Sequence, residues 1–219
     1  MIKSIFDFKY IIFDINGTII NNRRLYRKLL LVLTKLGFCK KDNNLFLPTG
    51  GIPLPYWAVK LSHSQILTEL VLSVDKGFLR FFKAIGTRNP KTFPNIKEVI
   101  KHLYNENVII FASTGGNTKV ETNCLQKLGI LKYFSLVVGS DIAPKREHVH
   151  YFAKSVDMSV EDFASKTCSV GDGPVELMLA LRYGIYSIGI TNTMDRNTLI
   201  KAGAKEVISD FRELLQRMP

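Results

Sequence analysis

The sequence predicts an α/β protein with a doubly wound, mostly parallel β-sheet and a small α-helical segment inserted after the first strand. Short apolar runs alternate along the chain with stretches of helical periodicity. Three of these runs end abruptly in polar residues, as strands do when they deliver side chains to the carboxyl edge of a parallel sheet. Alternating strands and helices imply right-handed crossovers, with helices covering both faces of the sheet.

The core elements follow from hydrophobic periodicity, taken in chain order. Strands are predicted at Phe8–Phe13, Val108–Ala112, Leu136–Val138, Thr167–Val170, Ile185–Gly189 and Glu206–Ile208. Helices are predicted at Ile96–Asn105, Thr118–Leu128, Arg146–Val156, Val175–Tyr183, Arg196–Ala202 and Phe211–Met218. Most of the predicted strands are short runs of mainly apolar residues, whereas the helices space their apolar residues three and four apart.

Residues 21–92 interrupt this alternation. Two helix-like stretches, Arg23–Leu36 and His63–Ile85, flank a segment at 47–55 that is rich in Pro and Gly. We therefore predict a core formed by residues 1–20 and 93–219, with residues 21–92 as a separate helical unit. An ordinary helical extension that packs on the core is the alternative.

Composition narrows the class of protein. The chain has 219 residues, 46% of them apolar, and no run long enough for a membrane helix. Its three cysteines, Cys39, Cys124 and Cys168, are widely spaced, which indicates free thiols and a cytoplasmic location. His148 and His150 would point to different faces of a helix, so a zinc pair is not expected.

The net charge of +11 is high for a chain of this length. Such a charge attracts phosphorylated small molecules, nucleic acid or an acidic protein partner. A lysine-rich surface with no particular partner explains it equally well. Nucleic acid binding therefore depends on net charge alone, and no membrane association is predicted.

The first predicted strand ends in Asp14, which is followed by Asn16, Gly17 and Thr18. A buried, unpaired carboxylate is strongly unfavourable, so a strand that delivers one is explained best by a ligand site at the sheet edge. Asp is also a nucleophile that forms aspartyl-phosphate intermediates. A cap or turn role for Asp14 is the alternative.

Two more apolar runs end in polar motifs. One ends in Ser113-Thr114-Gly115-Gly116, and the other in Gly171-Asp172-Gly173, with Glu176 one helical turn beyond Asp172. Together with Asp14-Ile15-Asn16-Gly17-Thr18, and with Lys145 between the second and last motifs, this order resembles the haloacid dehalogenase superfamily over nearly the whole chain.

The resemblance implies a Rossmann-like core, with residues 21–92 as the cap of that family. It implies a Mg²⁺-dependent phosphohydrolase that acts on a phosphorylated small molecule through an aspartyl-phosphate at Asp14. The Mg²⁺ ligands would be Asp14, the backbone carbonyl of Asn16, and Asp172. Glu176 would orient metal-bound water or Lys145 rather than bind the metal directly.

The resemblance also implies a set of phosphate-binding groups. These are Thr18, Ser113, Thr114, Gly115 and Lys145, and Lys145 would also neutralise the nucleophile during catalysis. Arg146 competes with Lys145 for that role. Backbone NH groups after Ser113 would contribute if they open a helix, because helix N-termini bind anions.

This sequence differs from the family's motif at Asn16. The family has an Asp at this position, which acts as general acid and base. An amide cannot exchange a proton near neutral pH, and such assistance is typically worth roughly 10²–10⁴-fold. Three interpretations remain: a phosphatase with slow turnover or good leaving groups, a protein with a long-lived aspartyl-phosphate, or a noncatalytic phospholigand-binding or regulatory protein. We expect Asn16→Asp to speed hydrolysis of alkyl phosphates.

Overall fold

The structure is a computed structural model that describes residues 4–22 and 88–217. The helix-like stretches Arg23–Leu36 and His63–Ile85, and the segment at 47–55 between them, lie outside the described residues. No helix within the described ranges has both the length and the apolar character needed to cross a membrane.

The strands form one parallel sheet in the order β3-β2-β1-β4-β5-β6. Their bounds are β1 (Tyr10–Asp14), β2 (Ile109–Ser113), β3 (Phe134–Val138), β4 (Thr167–Gly171), β5 (Tyr186–Ile190) and β6 (Glu206–Ile208). The strand order changes direction at β1, with β2 and β3 on one side and β4 to β6 on the other. In open α/β sheets, ligands bind beyond the carboxyl ends of the strands at such a point. The predicted doubly wound sheet is confirmed.

Helices cover both faces of this sheet. They are α1 (Ile96–Asn105), α2 (Thr118–Lys127), α3 (His148–Ser155), α4 (Val160–Ser165), α5 (Pro174–Tyr183), α6 (Arg196–Lys201) and α7 (Arg212–Leu215), with 3-10 turns at Ile5–Asp7, Leu131–Tyr133 and Lys145–Glu147. Periodicity missed α4, which at six residues is too short to show a repeat; Ser159 caps it. The helix predicted from Arg146 begins instead with a 3-10 turn and becomes α-helical at His148.

The first strand shows why the sheet sequences are so apolar. Ile11 and Phe13 face one core cluster, which they share with α1, α2 and α7. Tyr10 and Ile12 face the opposite cluster, which contains residues of α3, α4 and α5. A parallel strand buried on both faces needs an unbroken apolar run. Each fully buried large apolar side chain contributes about 1.5–3 kcal/mol to stability. The packing of β1 on both faces therefore fixes the position of Asp14 at the end of the strand.

The two chain segments on either side of residues 23–87 lie next to each other. Ile20 and Thr92 form an antiparallel bridge, and the Asn21 amide donates to the Lys91 carbonyl at 2.7 Å. The segment that follows β1 and the segment that precedes α1 are therefore held together by backbone hydrogen bonds. The division into a core and a cap at residues 21–92 stays a prediction.

Candidate active site

Asp14 is the last residue of β1 and lies beside Ser113, the last residue of β2. The two residues are paired in register in the parallel ladder. Both are buried, with 5% and 7% of their surface exposed. On the other side of β1, β4 ends at Gly171, where a Cβ atom would come within 2.8 Å of the Glu176 side chain. The absence of a side chain at Gly171 lets the start of α5 pack close to Asp14.

Lys145 joins two of the predicted site residues. Its Nζ donates to Asp14 Oδ1 at 2.5 Å and also to Glu176 Oε1. The alternative residue, Arg146, is 68% exposed and is paired with its neighbour Glu147. The structure therefore brings Lys145, and not Arg146, to the carboxylates. The 3-10 turn at Lys145–Glu147 positions this lysine ahead of α3.

The pKa values of these groups reflect a crowded, buried set of charges. Burial raises the pKa of Asp14 well above its usual value, although Lys145 opposes the shift; the carboxylates of Glu176 and Asp172 add to it. Burial alone would lower the pKa of Lys145, but Asp14 and Glu176 raise it above its usual value. Lys145 is therefore positively charged at any physiological pH. Asp14 and Glu176 share its single positive charge.

Asp172 follows β4 and is held by two threonines. The Thr18 hydroxyl donates to its Oδ1 at 2.9 Å, and the Thr193 hydroxyl donates to its Oδ2. Gly17 has φ +92°, and a Cβ atom there would overlap the Asp172 carboxylate, so this position requires glycine. Burial and the nearby Glu176 raise the pKa of Asp172 to about 6. The Thr18 hydroxyl thus contacts the predicted metal ligand, and its role in phosphate binding stays a prediction.

The Asn16 side chain is fully engaged in hydrogen bonds. Its Nδ2 donates to Glu121 Oε1 at 2.9 Å and to Thr114 Oγ1 at 3.3 Å. Its Oδ1 accepts from the Asn22 side chain at 3.1 Å. Both N–H bonds of the amide therefore have acceptors within the protein, and neither is left to donate to a leaving group. A carboxylate at position 16 would face the Glu121 carboxylate at hydrogen-bonding distance.

The loop after Ser113 is less suited to anion binding than its sequence indicates. The Thr114 amide donates to the Val138 carbonyl at 3.0 Å, and the Gly116 amide donates to the Thr114 hydroxyl at 2.9 Å. Gly115 is exposed on the loop. Because α2 begins only at Thr118, these residues do not open the helix. The Ser113 hydroxyl therefore remains the best candidate donor in this loop.

Four residues that the sequence analysis did not select contact the predicted site. They are Glu121, which accepts from Asn16; His148, which contacts Ser113; Thr193, which holds Asp172; and Asn192, which donates to the Gly17 carbonyl at 2.9 Å. None of them belongs to a motif, and although Glu121 and His148 lie within five residues of one, only the packing of the helices and loops brings these side chains to the site. The buried state of His148, which is 1% exposed, comes from tertiary packing.

The residues present fit a Mg²⁺ ion. Asp14 and Glu176 bring two carboxyl groups to the ammonium of Lys145, Asp172 adds a third whose charge acts on Asp14, and Glu176 Oε2 is buried with no hydrogen-bond partner among the described residues. Oxygen donors and excess negative charge suit Mg²⁺, which usually takes one or two carboxylates and retains several waters. Within residues 4–22 and 88–217, no three acidic, His or Cys side chains form a metal cluster alone. The Mg²⁺ ligands that the family resemblance implies include only two carboxylates, together with the Asn16 backbone carbonyl.

We expect Mg²⁺ to stabilise the protein more at pH 7.5 than at pH 5. Raised pKa values of Asp14 and Asp172 mean that the metal-free folded state holds protons more tightly than the unfolded chain. That contribution to stability is complete below the unfolded pKa and is lost as pH rises through about 6 for Asp172. Mg²⁺ would replace those protons. At roughly a hundred times its Kd it would add about 2.7 kcal/mol, or on the order of 5–10 °C in Tm.

Thermal melting with and without MgCl₂ at both pH values measures this shift. NaCl at matched ionic strength is the control, and Asp172→Asn should reduce the shift. An equal rise in Tm at pH 5 and pH 7.5, or an equal rise with NaCl, would contradict Mg²⁺ binding at these carboxylates.

Comparison with known proteins identifies the family to which the fold and the site geometry belong. The sequence model of one family, described as haloacid dehalogenase-like hydrolase, matches residues 11–190. A protein of Dickeya dadantii named "Probable phosphatase IndB" is 23% identical over 210 residues, covering 94% of this chain and 91% of the relative. A phosphoglycolate phosphatase of Vibrio cholerae is 24% identical over 150 residues, covering 67% of this chain and 65% of the relative.

A solved structure is similar to this chain in fold. It is a haloacid dehalogenase-like family hydrolase from Streptococcus pneumoniae, with a TM-score of 0.78, 18% identity, and coverage of 96% of this chain and 98% of that one. At this identity the likeness shows the fold. The family match spans well over half of the sequence and includes the ends of β1, β2 and β4. The chain belongs to the haloacid dehalogenase-like hydrolase family.

Proposed function

We propose that this protein is a Mg²⁺-dependent phosphohydrolase that removes phosphate from a small molecule through an aspartyl-phosphate at Asp14. The observation that carries the proposal is the ion pair between Asp14 and Lys145, formed beside Ser113 at the carboxyl edge of the sheet. Family membership and relatives named as phosphatases support it. Several of these relatives are named phosphoglycolate phosphatase, so phosphoglycolate is the first candidate substrate.

In the first step, a carboxylate oxygen of Asp14 attacks phosphorus and the bond from phosphorus to the leaving oxygen breaks. The leaving oxygen takes a proton, and the phosphoryl group stays on Asp14. In the second step, water attacks phosphorus, the bond to the Asp14 oxygen breaks, and inorganic phosphate leaves with Asp14 restored. Because Asp14 is buried, few water molecules surround the nucleophile, and Lys145 remains its charged partner.

The neighbouring side chains would supply charge and orientation. Lys145 holds Asp14 in place and offers a positive charge to the phosphoryl oxygens. Ser113 would donate to a phosphoryl oxygen from the adjacent strand. Asp14, Asp172 and the Asn16 carbonyl would hold Mg²⁺, which when bound neutralises phosphate charge. Thr18 and Thr193 keep Asp172 oriented for that role.

The alternative is a noncatalytic phospholigand-binding or regulatory protein. It is favoured by the Asn16 amide, because its N–H groups are already bound to Glu121 and Thr114. With no proton donor at position 16, the leaving oxygen must take its proton from solvent, and turnover is expected to be slow on alkyl phosphates. Aryl phosphates need little such help.

A panel of phosphorylated metabolites, headed by phosphoglycolate, tests the proposal when assayed with and without MgCl₂. We expect phosphate release that requires Mg²⁺ and is fastest for good leaving groups. Trapping with beryllium fluoride and Mg²⁺ separates the two functions, because the trapped species mimics phosphate on a carboxylate. One stable equivalent per chain, absent from Asp14→Asn, is expected of the enzyme. Binding of phosphorylated ligands without hydrolysis or fluoride trapping would favour the noncatalytic alternative.

A further inference from the structure

His148 lies at the start of α3 and contacts the end of β2, and none of the predicted motifs includes it. It is 1% exposed and is the first residue of α3. Its Nδ1 lies 2.8 Å from Ser113 Oγ, and its Nε2 lies 2.9 Å from the Ala143 carbonyl oxygen. Both ring nitrogens therefore have protein partners, and one of those partners is the predicted phosphate-binding hydroxyl.

The partners determine where the protons lie. A carbonyl oxygen only accepts, so Nε2 carries a hydrogen. In the neutral ring Nδ1 is then an acceptor, and the Ser113 hydroxyl must donate to it. Burial, together with the positive charge of Lys145, lowers the pKa of His148. The N-terminal position on α3 also disfavours a cation. The free protein therefore holds a neutral His148 near pH 7.

This arrangement turns the Ser113 proton away from the site. Ser113 stands beside Asp14, where an oxyanion would need a donor. If the hydroxyl rotated to donate outward, the buried Nδ1 would lose the hydrogen bond that it now accepts from Ser113 at 2.8 Å. If His148 gains a proton, Nδ1–H donates to Ser113 Oγ, and the Ser113 proton becomes free for the oxyanion without loss of any hydrogen bond.

We propose that oxyanion binding at Ser113 is coupled to protonation of His148, which reverses the hydrogen bond between them and makes Ser113 a donor to the anion. The proton comes from solvent, and the oxyanion supplies the negative charge that stabilises the imidazolium. His148 is thus a positioning residue that acts through Ser113. This inference rests on the proposed phosphate site.

The charged groups around His148 are compatible with this exchange. Lys145 and Glu147 belong to the turn that precedes it, and they oppose each other in their effect on the ring. Asp14 and Glu176 line the same small cavity of about 30 Å³, and both are paired with Lys145. The Ala143 carbonyl favours the cation because a hydrogen bond from Nε2–H is stronger when the ring is charged. An added anion therefore acts on a ring whose neighbours already push its pKa in both directions.

Sulfate is a suitable probe because, unlike phosphate, it does not titrate between pH 6 and 8. The chain has four histidines, so ¹⁵N spectra of the imidazole nitrogens can be assigned, with His148→Asn identifying the signals of interest. At pH 7 with saturating MgCl₂, we expect the neutral Nε2–H form without sulfate and a doubly protonated ring with it. A ring that stays neutral at saturating sulfate overturns the proposal.

The pH dependence of sulfate affinity is a second readout. A coupled proton strengthens binding by up to about 10-fold for each unit by which pH falls. His148→Asn retains an amide that can contact Ser113 but cannot titrate, so its affinity should change less steeply with pH. His150→Asn, an exposed substitution on the same helix, should follow the wild type. Equal slopes for wild type and His148→Asn overturn the coupling.

The two proposals can fail separately. Sulfate binding with a neutral His148, in a protein that hydrolyses phosphate esters, contradicts the coupling alone. Sulfate-dependent protonation in a protein that hydrolyses no ester supports the coupling and contradicts turnover. If the wild-type protein binds no oxyanion, both are wrong.

Discussion

Replacing Asp14 with Asn should abolish phosphate ester hydrolysis, with a fall in kcat of at least about 10³-fold, the scale seen when a catalytic nucleophile is removed. An amide is nearly isosteric with a carboxylate but does not attack phosphorus. Lys145 keeps its second partner, Glu176, so its charge stays paired. The loss should therefore be in chemistry rather than in folding.

Stability provides an independent readout of the same variant. Because burial raises the pKa of Asp14, the charged carboxylate is disfavoured in the metal-free folded state near neutral pH. A neutral amide avoids that cost, so Tm without Mg²⁺ should be unchanged or higher at pH 7.5. Asp162→Asn, on the exposed first turn of α4, is the matched control and should retain activity. Near-normal turnover by Asp14→Asn would refute the covalent mechanism.

Combining Asn16→Asp with Glu121→Gln should raise hydrolysis of alkyl phosphates by about 10-fold or more, and that of aryl phosphates much less. Asn16→Asp alone places two carboxyl groups at the 2.9 Å contact now made by amide and carboxylate. Such a pair shares one proton and titrates as a unit. With Glu121→Gln as well, the amide at position 121 can donate to the carboxyl group at position 16, which is the present hydrogen bond with donor and acceptor exchanged. The carboxyl group at position 16 then no longer shares a proton with a second carboxyl group and can exchange one with the leaving group.

A double-mutant cycle measures how far the effect of Asn16→Asp depends on the residue at position 121. We expect Asn16→Asp to lower stability at pH 8 and the second substitution to recover it, with a coupling of roughly 0.5–3 kcal/mol. Peptide mass analysis must confirm Asn16 in the parent protein, because deamidation at Asn16-Gly17 would create the single variant. Equal activity of the single and double variants would show that Glu121 does not constrain position 16. If neither variant gains on alkyl esters, the missing-acid interpretation of Asn16 is wrong.

The sequence was sufficient to predict the sheet and the edge where the motifs meet. Asp14, Ser113 and Asp172 each follow an apolar run, and carboxyl ends of parallel strands converge whatever lies between them. The lysine was less certain, since Lys145 and Arg146 are adjacent and only the path of the turn decides which one faces inward. The charge of +11 identifies no partner, and nucleic acid binding stays a prediction.

The contacts that modify the chemistry could not be predicted in the same way. Glu121 meets Asn16 across 105 residues, and His148 meets Ser113 across 35. Such pairs depend on how α2 and α3 pack against the sheet, which no local periodicity encodes. A buried histidine at the start of a helix looks the same in sequence as an exposed one. The direction of the Thr18 hydroxyl, toward Asp172, likewise depends on the turn at Gly17.

The bridge between Ile20 and Thr92 has a consequence for how such a chain can change over generations. Because the described segments on either side of residues 23–87 lie next to each other, a change in the sequence between them need not move β1 or α1. Each doubling of the length of a flexible connection costs only about 0.6 kcal/mol in closure entropy. The carboxyl edge of the sheet can therefore stay the same in descendants whose sequence between Ile20 and Thr92 differs.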